Sequence, residues 1–257
     1  MDSTLETPPI PRPINIAPPA TAFVELYEIR SYECDSDGFA QFPTICNLLQ
    51  ETAANHARAL GLAAGGHAMP DNLTWVLTRL RVELSRYPSW RDCVNVLTFP
   101  RGMRKLFAYR DFEISLADGS ALGRASSEWM VINPQTRRAE RIPETVAAIA
   151  NTVRAPALGE MPFSKIEHPD VPPAAEASFV AQRSHIDTNG HVNNVRYIEW
   201  MLETAEEKAK RPLSFEAVFR SEVLAGGAVD VQRAQSGGFA SFRLSSCGKE
   251  SVVARAR

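Results

Sequence analysis

The order of structural elements in the first half of this chain restarts in the second half, 152 residues later. At that offset the following residues coincide: Asp35 with Asp187, Gly38 with Gly190, Glu51 with Glu203, Thr52 with Thr204, and Ala53 with Ala205. A few matching letters arise easily by chance. Each half, however, also has the pattern of a strand, a turn, a helix and then about four more strands. The matching residues and the matching order of elements together indicate an internal duplication, so we expect two similar units.

The first half begins with a strand predicted over 23–33, which leads into a turn at 34–38. Pro43 suits the first turn of the helix that follows, and Gly61 is a good residue to end it. Four strand-like runs separated by turn signals come next: 73–86, 92–100, 104–117 and 120–132. A short helix is predicted over 141–153. The Pro-rich stretch that follows, 155–174, predicts a boundary between the two units.

The second half repeats this order after the boundary. Its predicted strands and helix are a strand at 178–185, a helix at 195–210, and strands at 213–224, 228–235, 238–246 and 250–257. Apolar residues fall on nearly every face of the helix, which predicts that it is buried. Three cations, Lys208, Lys210 and Arg211, are expected at its C-terminal end, where the helix dipole favours positive charge.

These elements predict an α+β fold in which each sheet of about five antiparallel strands covers one long helix. Two such sheets can pair edge to edge and form one continuous sheet within the chain. The predicted division is a Pro-rich arm at 1–22, a first unit at 23–154, a linker at 155–174 and a second unit at 175–257.

Composition excludes several classes of protein. The 257 residues are 44% hydrophobic and carry a net charge of −2, which supports a packed core and gives no reason to expect nucleic acid or a membrane surface as partner. No apolar run is long enough to cross a bilayer, and the N-terminus lacks the features of a secretory signal. The four cysteines form no CxxC pair, so neither a zinc ribbon nor a disulfide framework is indicated, and a reducing cytoplasm is expected.

The loop before the second helix holds the candidate active site. It is dense in polar residues, namely Asp187, Asn189, His191, Asn193 and Asn194, and it feeds the positive N-terminus of a helix. A carboxylate and an imidazole across a sharp turn can act as base, acid or mutual orienters. Each of these residues also has a structural interpretation. Asp187 caps the turn or the helix, His191 is a structural histidine, and Asn193 and Asn194 are helix-start and turn residues. The signatures of serine hydrolases and zinc peptidases do not occur.

The run D-T-N-G-H-V-N-N-V-R-Y-I-E-W-M-L-E (187–203) resembles the acyl-acyl-carrier-protein (acyl-ACP) thioesterases, and more loosely other hotdog-fold thioesterases. The resemblance extends to four further blocks: I-R-S-Y-E (29–33), L-L-Q-E-T-A-A-N-H-A (48–57), 73–92 and 125–138. It implies a double hotdog fold, hydrolysis of the thioester between a fatty acyl chain and acyl carrier protein, and catalytic roles for Asp187, Asn189 and His191. A family glutamate falls on Glu222. The residue directly after this glutamate is Val223 and not a cysteine, so a cysteine nucleophile at position 223 is excluded.

The mechanism that follows from this resemblance is attack by water. Glu222, alone or with Asp187, positions and deprotonates the water, Asn189 holds the water or the oxyanion, and the amides at the helix N-terminus polarise the carbonyl. His191 orients the carboxylate or assists the departing thiolate. An acyl-aspartate intermediate is the alternative. No metal or organic cofactor is needed. The partner is acyl carrier protein with its phosphopantetheine-linked chain, and a homodimer is compatible with the family.

The first copy differs at the chemical positions, because Phe39 stands where the second copy has His191 and Asp37 stands where it has Asn189. We therefore expect the second unit to do the chemistry and the first to provide the acyl-chain pocket. Two basic clusters, 101–105 and 137–141, are either a solvated surface or docking sites for the acidic carrier. The competing functions are an acyl-CoA thioesterase and a hotdog protein that binds acyl chains without cleaving them.

Overall fold

The computed structural model describes residues 22–149, 154–160, 163, 165–206 and 209–257. Apart from Ala22, the predicted arm at 1–22 lies outside the described residues, as do the end of the predicted helix at 141–153 and parts of the predicted linker. Within the described part of the chain, no helix combines the length and the apolar character that crossing a membrane requires.

The first unit contains six strands and two helices in its described residues. They are β1 (Phe23–Glu28), α1 (Phe42–Ala59), β2 (Thr74–Leu84), β3 (Cys93–Arg104), β4 (Phe107–Leu116), β5 (Ala121–Asn133), β6 (Arg138–Ala139) and α2 (Glu144–Ile149). Pro43 lies in the first turn of α1, as predicted. Gly61, with φ of +70°, follows its end, where the N–H groups of Gly61 and Leu62 bond back to carbonyls of the last turn. The predicted start and the predicted end of α1 are both confirmed.

The second unit contains one helix and five strands in the described residues. They are β7 (Ala175–Val180), α3 (Asn194–Glu203), β8 (Ser214–Phe219), β9 (Ala228–Ser236), β10 (Phe239–Ser246) and β11 (Lys249–Ala256). The offset of 152 residues also relates equivalent structural elements of the two units. β1 and β7 begin and end at that spacing, and so do the starts of α1 and α3. The isolated bridges Cys34–Ala40 and Ile186–Val192, which close the loop before each helix, keep it as well.

Several ends of strands and helices were predicted wrongly. The strand predicted over 178–185 spans Ala175–Val180, and the strand predicted over 92–100 continues to Arg104. The strand predicted over 23–33 ends at Glu28, and the strand predicted over 213–224 ends at Phe219. The helix predicted over 195–210 ends at Glu203. Thr204 follows it, and its N–H and hydroxyl both bond to the carbonyl of Met201, which tightens the last turn and stops the helix.

Arg211 therefore does not lie at the end of a helix, as the sequence predicted. Its guanidinium instead reaches the first unit, where Nε lies 3.2 Å from Asp35 Oδ2 and Nη2 lies 2.5 Å from Asp37 Oδ2. The same group lies over the ring of Phe39, 4.8 Å from its centre. The cation thus ties the second unit to the loop before α1.

The strands form one antiparallel sheet in the order β1-β3-β4-β5-β2-β8-β11-β10-β9-β7, with β6 beside β5. The two units join where β2 pairs with β8, from Arg79 opposite Val218 to Glu83 opposite Ser214. The prediction of a single sheet shared edge to edge is confirmed. The helices α1 and α3 lie against the sheet and against one another, and one hydrophobic core runs through both units.

The helix α3 is buried, as its apolar residues predicted. Its buried side chains are Val195, Tyr197, Ile198, Trp200, Met201 and Leu202. Complete burial of a large apolar side chain contributes about 1.5–3 kcal/mol. This helix is therefore fixed in position, and so is the polar loop attached to its N-terminus.

A buried polar group lies between α1 and the sheet of the first unit. Nη1 of Arg110 lies 2.8 Å from His56 Nδ1 and donates to Thr98 Oγ1 at 3.1 Å. Burial, and then the charge of Arg110, lower the pKa of His56 to about 3. His56 was predicted to be structural, and it is held in the fold as a neutral imidazole.

This histidine should make the protein sensitive to acid. In the unfolded chain an imidazole titrates near pH 6.5, about the usual value. Below that pH the unfolded chain binds a proton that the folded protein does not, so the contribution of His56 lowers stability as the pH falls from about 6.5 towards 3, by about 1.4 kcal/mol per unit. In urea unfolding, the wild type should lose about 2 kcal/mol more than His56→Gln between pH 7 and pH 5. The exposed His67, changed to Gln, is the control and should leave the wild-type response unchanged. Equal losses in wild type and His56→Gln would contradict the assignment.

Candidate active site

The polar loop before α3 is shaped by the side chain of Asp187. Its Oδ1 accepts hydrogen bonds from the N–H groups of Asn189, at 2.8 Å, and His191, at 3.4 Å. The Asp187 N–H donates to the carbonyl of His191, and its carbonyl accepts from Gly190. Gly190 has φ of +82°, a left-handed conformation that glycine adopts without strain. The loop is thus a tight turn closed on an aspartate.

The same turn occurs in the first copy without the histidine. Asp35 Oδ1 accepts from the N–H groups of Asp37, at 3.0 Å, and Phe39, at 3.2 Å. The backbone bonds and the positive φ of Gly38 repeat as well. Because the first copy has a phenylalanine where the second has the imidazole, an aspartate at this position is needed for the turn itself. Asp187 therefore has a structural role, whatever else it does.

His191 contacts Glu222 across the loop. The His191 Nε2 atom lies 3.1 Å from Glu222 Oε2, and the two side chains are 34% and 28% exposed. Both groups are partly desolvated yet open to solvent on one side. The sequence predicted Glu222 on a strand, but β8 ends at Phe219. The N–H groups of Arg220 and Ser221 still bond to the carbonyl of Ser251, and Glu222 follows them outside the strand.

The segment that carries Glu222 is held by its neighbour Val223. The Val223 N–H donates to the Tyr197 hydroxyl at 2.8 Å, and its carbonyl accepts from the Val192 N–H at 3.0 Å. Burial raises the pKa of Tyr197 to about 12, so the hydroxyl stays neutral. The carboxylate of Glu222 is thus positioned from α3 and from the polar loop together.

Arg137, a residue of the first unit, also contacts Glu222. It lies in the turn between β5 and β6 and forms an ion pair with Glu222 Oε1. The sequence predicted Arg137 to belong either to a solvated surface or to a docking site for the carrier. Nothing in its local sequence indicates this contact, because the two residues are 85 positions apart and meet only through the fold.

The N-terminus of α3 is built as the asparagines predicted. Asn193 precedes the helix, and its side-chain oxygen accepts from the N–H of Val195 at 2.9 Å; Asn194 is the first helical residue. Asn189 lies exposed at the tip of the loop. His191 and Glu222 are therefore brought into contact, Asp187 lies on the same loop as His191 and binds its backbone N–H, and Asn189 is exposed beside them.

A narrow cleft runs between the two units from this end of α3. Its lining includes Leu49, Leu77, Phe112 and Trp129 from the first unit and Val195 and Ile198 from α3. The lining is almost entirely apolar. The open space is about 20 Å³, which is room for roughly one water molecule. Lining side chains must therefore move apart before a larger apolar group can enter.

The functional groups of the candidate site are a carboxylate, an imidazole and backbone amides. Among the described residues, no group of three or more His, Cys, Asp or Glu side chains is placed to hold a metal ion. Val223, where a thiol would follow the glutamate, is apolar and buried. The arrangement is suited to activating a water molecule next to an apolar cleft.

The two roles of Asp187 can be separated by substitution. Asp187→Asn keeps an oxygen that can accept the two N–H groups but removes the charge, whereas Asp187→Ala removes both. Since the loss of such a turn costs about 1 kcal/mol or more, we expect Asp187→Ala to lower kcat about tenfold further than Asp187→Asn in an assay of the thioester hydrolysis that the family resemblance implies. Asp35→Asn in the first copy is the matched control and should leave kcat unchanged. Equal kcat values for the two Asp187 variants would show that the turn does not matter.

Two family models match this chain. One, described as acyl-ACP thioesterase N-terminal domain, matches residues 20–150, and one described as acyl-ACP thioesterase C-terminal domain matches residues 171–255. A palmitoyl-acyl carrier protein thioesterase, chloroplastic, of Gossypium hirsutum is 38% identical over 193 residues, which are 71% of this chain and 47% of the relative. An oleoyl-acyl carrier protein thioesterase 1, chloroplastic, of Arabidopsis thaliana is 31% identical over 202 residues, which are 73% of this chain and 56% of the relative. The chain spans about half the length of these curated relatives.

The fold is also similar to that of solved structures. It matches the 12:0-ACP thioesterase from Umbellularia californica with a TM-score of 0.83 at 27% identity, over 92% of this chain and 96% of that chain. Two helices against one shared antiparallel sheet, with a polar loop before the second helix, define a double hotdog protein. The chain belongs to the acyl-ACP thioesterase family. The predicted fold class and the family resemblance are both confirmed.

Proposed function

We propose that this protein hydrolyses fatty acyl-ACP to free fatty acid and acyl carrier protein. The observation that carries the proposal is the contact between His191 Nε2 and Glu222 Oε2, at 3.1 Å, beside the N-terminus of α3 and the apolar cleft. Membership of the acyl-ACP thioesterase family supports the same reaction.

In the proposed mechanism Glu222 is the base. It removes a proton from a water molecule while the water oxygen adds to the thioester carbonyl carbon, and the positive end of the α3 dipole stabilises the resulting oxyanion together with the side-chain amide of Asn189. The tetrahedral intermediate then collapses, the carbon–sulfur bond breaks, and the phosphopantetheine thiolate leaves. His191 orients Glu222 and passes the proton to the departing sulfur. Asp187 shapes the loop and adds a second carboxylate near the reacting group.

The two units are proposed to divide this work. The unit at 23–154 supplies most of the cleft in which the acyl chain would lie, and the unit at 175–257 supplies the loop, His191 and Glu222. The first copy lacks the corresponding groups, because Phe39 stands at the position of the imidazole and Arg211 pairs with the aspartates of the turn. One active site for each chain is the result.

The carrier is proposed to dock on basic residues near the cleft. Of the two clusters suggested by the sequence, Arg101 is not suitable, because its side chain is only 9% exposed and pairs with the buried Asp111 at 3.3 Å. Arg104, Lys105 and Arg138 are exposed and remain docking candidates.

The proposed function is tested by steady-state kinetics with one acyl chain, linked either to ACP or to CoA. We expect kcat/KM to be higher for the ACP-linked than for the CoA-linked form, with release of a thiol that DTNB detects. A preference for the CoA form would favour an acyl-CoA thioesterase. Binding of the acyl chain without release of thiol from either form would favour a non-catalytic acyl-binding protein.

The compartment and the oligomeric state belong to the same proposal. The cysteines at 34, 46, 93 and 247 are free thiols, which suits the reducing cytoplasm that the sequence predicts. The relatives above carry the word chloroplastic in their names. Cell fractionation decides the compartment, and sedimentation analysis decides whether two chains associate.

A further inference from the structure

The carboxylate of Glu222 is held from two sides by groups of different units. One oxygen, Oε2, faces His191 in the second unit, and the other, Oε1, is paired with the guanidinium of Arg137 in the first unit. We infer that Arg137 is a positioning residue for the reaction, which fixes Glu222 against His191 and keeps it ionised. This inference rests on the proposed function, in which Glu222 is the base.

The backbone around Arg137 is built to hold this residue in place. Its N–H donates to the carbonyl of Asn133 at 2.7 Å, and the Asn133 side-chain oxygen accepts the N–H groups of Gln135 and Thr136. Arg137 itself has φ of +57°, in the left-handed region that few residues other than glycine occupy. Such a conformation persists where the surrounding structure determines it. Pairing of β5 with β6, which places Asn133 opposite Arg138, closes the turn.

The chemistry of the pair favours arginine. A guanidinium stays charged at every pH at which the protein is folded, and its planar donors fix the plane of a carboxylate as well as its distance. A positive charge in contact with a carboxylate favours the ionised form, which is the form that accepts a proton from water. An imidazole alone on the other side would leave the carboxylate free to turn.

The other charged groups around Glu222 do not replace Arg137. His191 faces the opposite oxygen, and Asp187, on the same loop as His191, is itself an anion. Arg220, two residues before Glu222, pairs with Glu250 at 2.5 Å. Arg137 is thus the cation that the fold directs at Glu222 from the first unit.

Arg137 is 65% exposed, so it also suits the docking role suggested by the sequence. The two roles predict different kinetics. A docking residue changes KM for the carrier-linked substrate alone. A positioning residue changes kcat for every substrate and moves the pH profile, because the base protonates more readily once the neighbouring cation is gone.

The experiment compares Arg137→Gln and Arg137→Lys with Arg58→Gln, an exposed arginine of the same unit. Each variant is assayed with one acyl chain on acyl carrier protein and on N-acetylcysteamine, which lacks the carrier. Because a hydrogen bond to a charged group contributes on the order of a 10- to 100-fold effect, Arg137→Gln should lower kcat by about that factor on both substrates. The acidic limb of its kcat profile should move to higher pH, and Arg137→Lys should restore part of the rate. Arg58→Gln should match the wild type on both substrates.

A double-mutant cycle makes the test specific to the pair. If Arg137 acts through Glu222, Arg137→Gln should lower kcat by less than about twofold in a Glu222→Gln background. An effect confined to KM for the carrier-linked substrate, an unmoved acidic limb, or a full additional loss in the double variant would each overturn the inference. Should Arg137→Gln not fold, Arg137→Lys decides: its kcat should be below that of the wild type on both substrates, and that loss should disappear in the Glu222→Gln background. A wild type without activity on either substrate would refute the proposed function, and is thereby distinguishable from failure of this inference alone.

Discussion

Replacing Glu222 with Gln is expected to lower kcat for acyl-ACP hydrolysis by about 10²- to 10⁴-fold, the usual contribution of a general base. The amide has nearly the same shape and can still contact His191 and Arg137, so the loss reports the missing base rather than a change of structure. The measurement is release of the carrier thiol under saturating substrate. Because only proton removal is affected, KM should change little.

Glu250→Gln is the matched control for this prediction. Glu250 is also 28% exposed, also lies in the second unit and also pairs with arginines, namely Arg220 and Arg243. It does not contact His191, so we expect wild-type kcat from this variant. A Glu222→Gln enzyme within threefold of the wild type would remove Glu222 from the mechanism.

Phe42→Ala is expected to lower the free energy of unfolding by about 3–5 kcal/mol, because it leaves a cavity in a closely packed core. Phe42 is the first residue of α1 and is fully buried. Its ring lies 4.9 Å from that of Phe215 on β8, so the pair packs one unit against the other. Urea unfolding at pH 7 measures the loss.

Tyr32→Ala serves as the control for this substitution. Tyr32 is an aromatic residue of the same unit that is 74% exposed, and its removal should change stability by no more than about 0.5 kcal/mol. A loss from Phe42→Ala as small as that from Tyr32→Ala would show that the packing between the units contributes little.

The helix starts illustrate what local sequence determines. Phe42 of α1 and Asn194 of α3 are equivalent, and both helix starts follow from nearby signals, a proline in one and a capping asparagine in the other. The turns before them follow from an aspartate and a glycine at fixed spacing. The continuous sheet follows from two units with exposed edges. Each of these features depends on residues close in sequence or on a repeated pattern.

Contacts that the fold alone creates were not predicted. The end of α3 was missed for a different reason, because it depends on a local hydrogen bond from the Thr204 hydroxyl to the carbonyl of Met201 and not on the cations further along the chain. Arg211 crosses to the aspartates of the first copy, and Arg137 crosses to Glu222. Long flexible side chains of this kind can reach any of several surface carboxylates, so the sequence does not indicate which one is nearby. The candidate site was therefore predicted in its loop and its motif, but not in its contact with the first unit.

The contact of Arg211 with the first-copy loop bears on what a change at position 39 could achieve. A histidine placed there would meet a guanidinium, where position 191 has a carboxylate as its neighbour. Asp35 and Asp37 would still be bound to the same cation. One substitution is therefore not enough to give the first copy the contact on which the proposed site depends, and the asymmetry between the two halves is held by several residues at once.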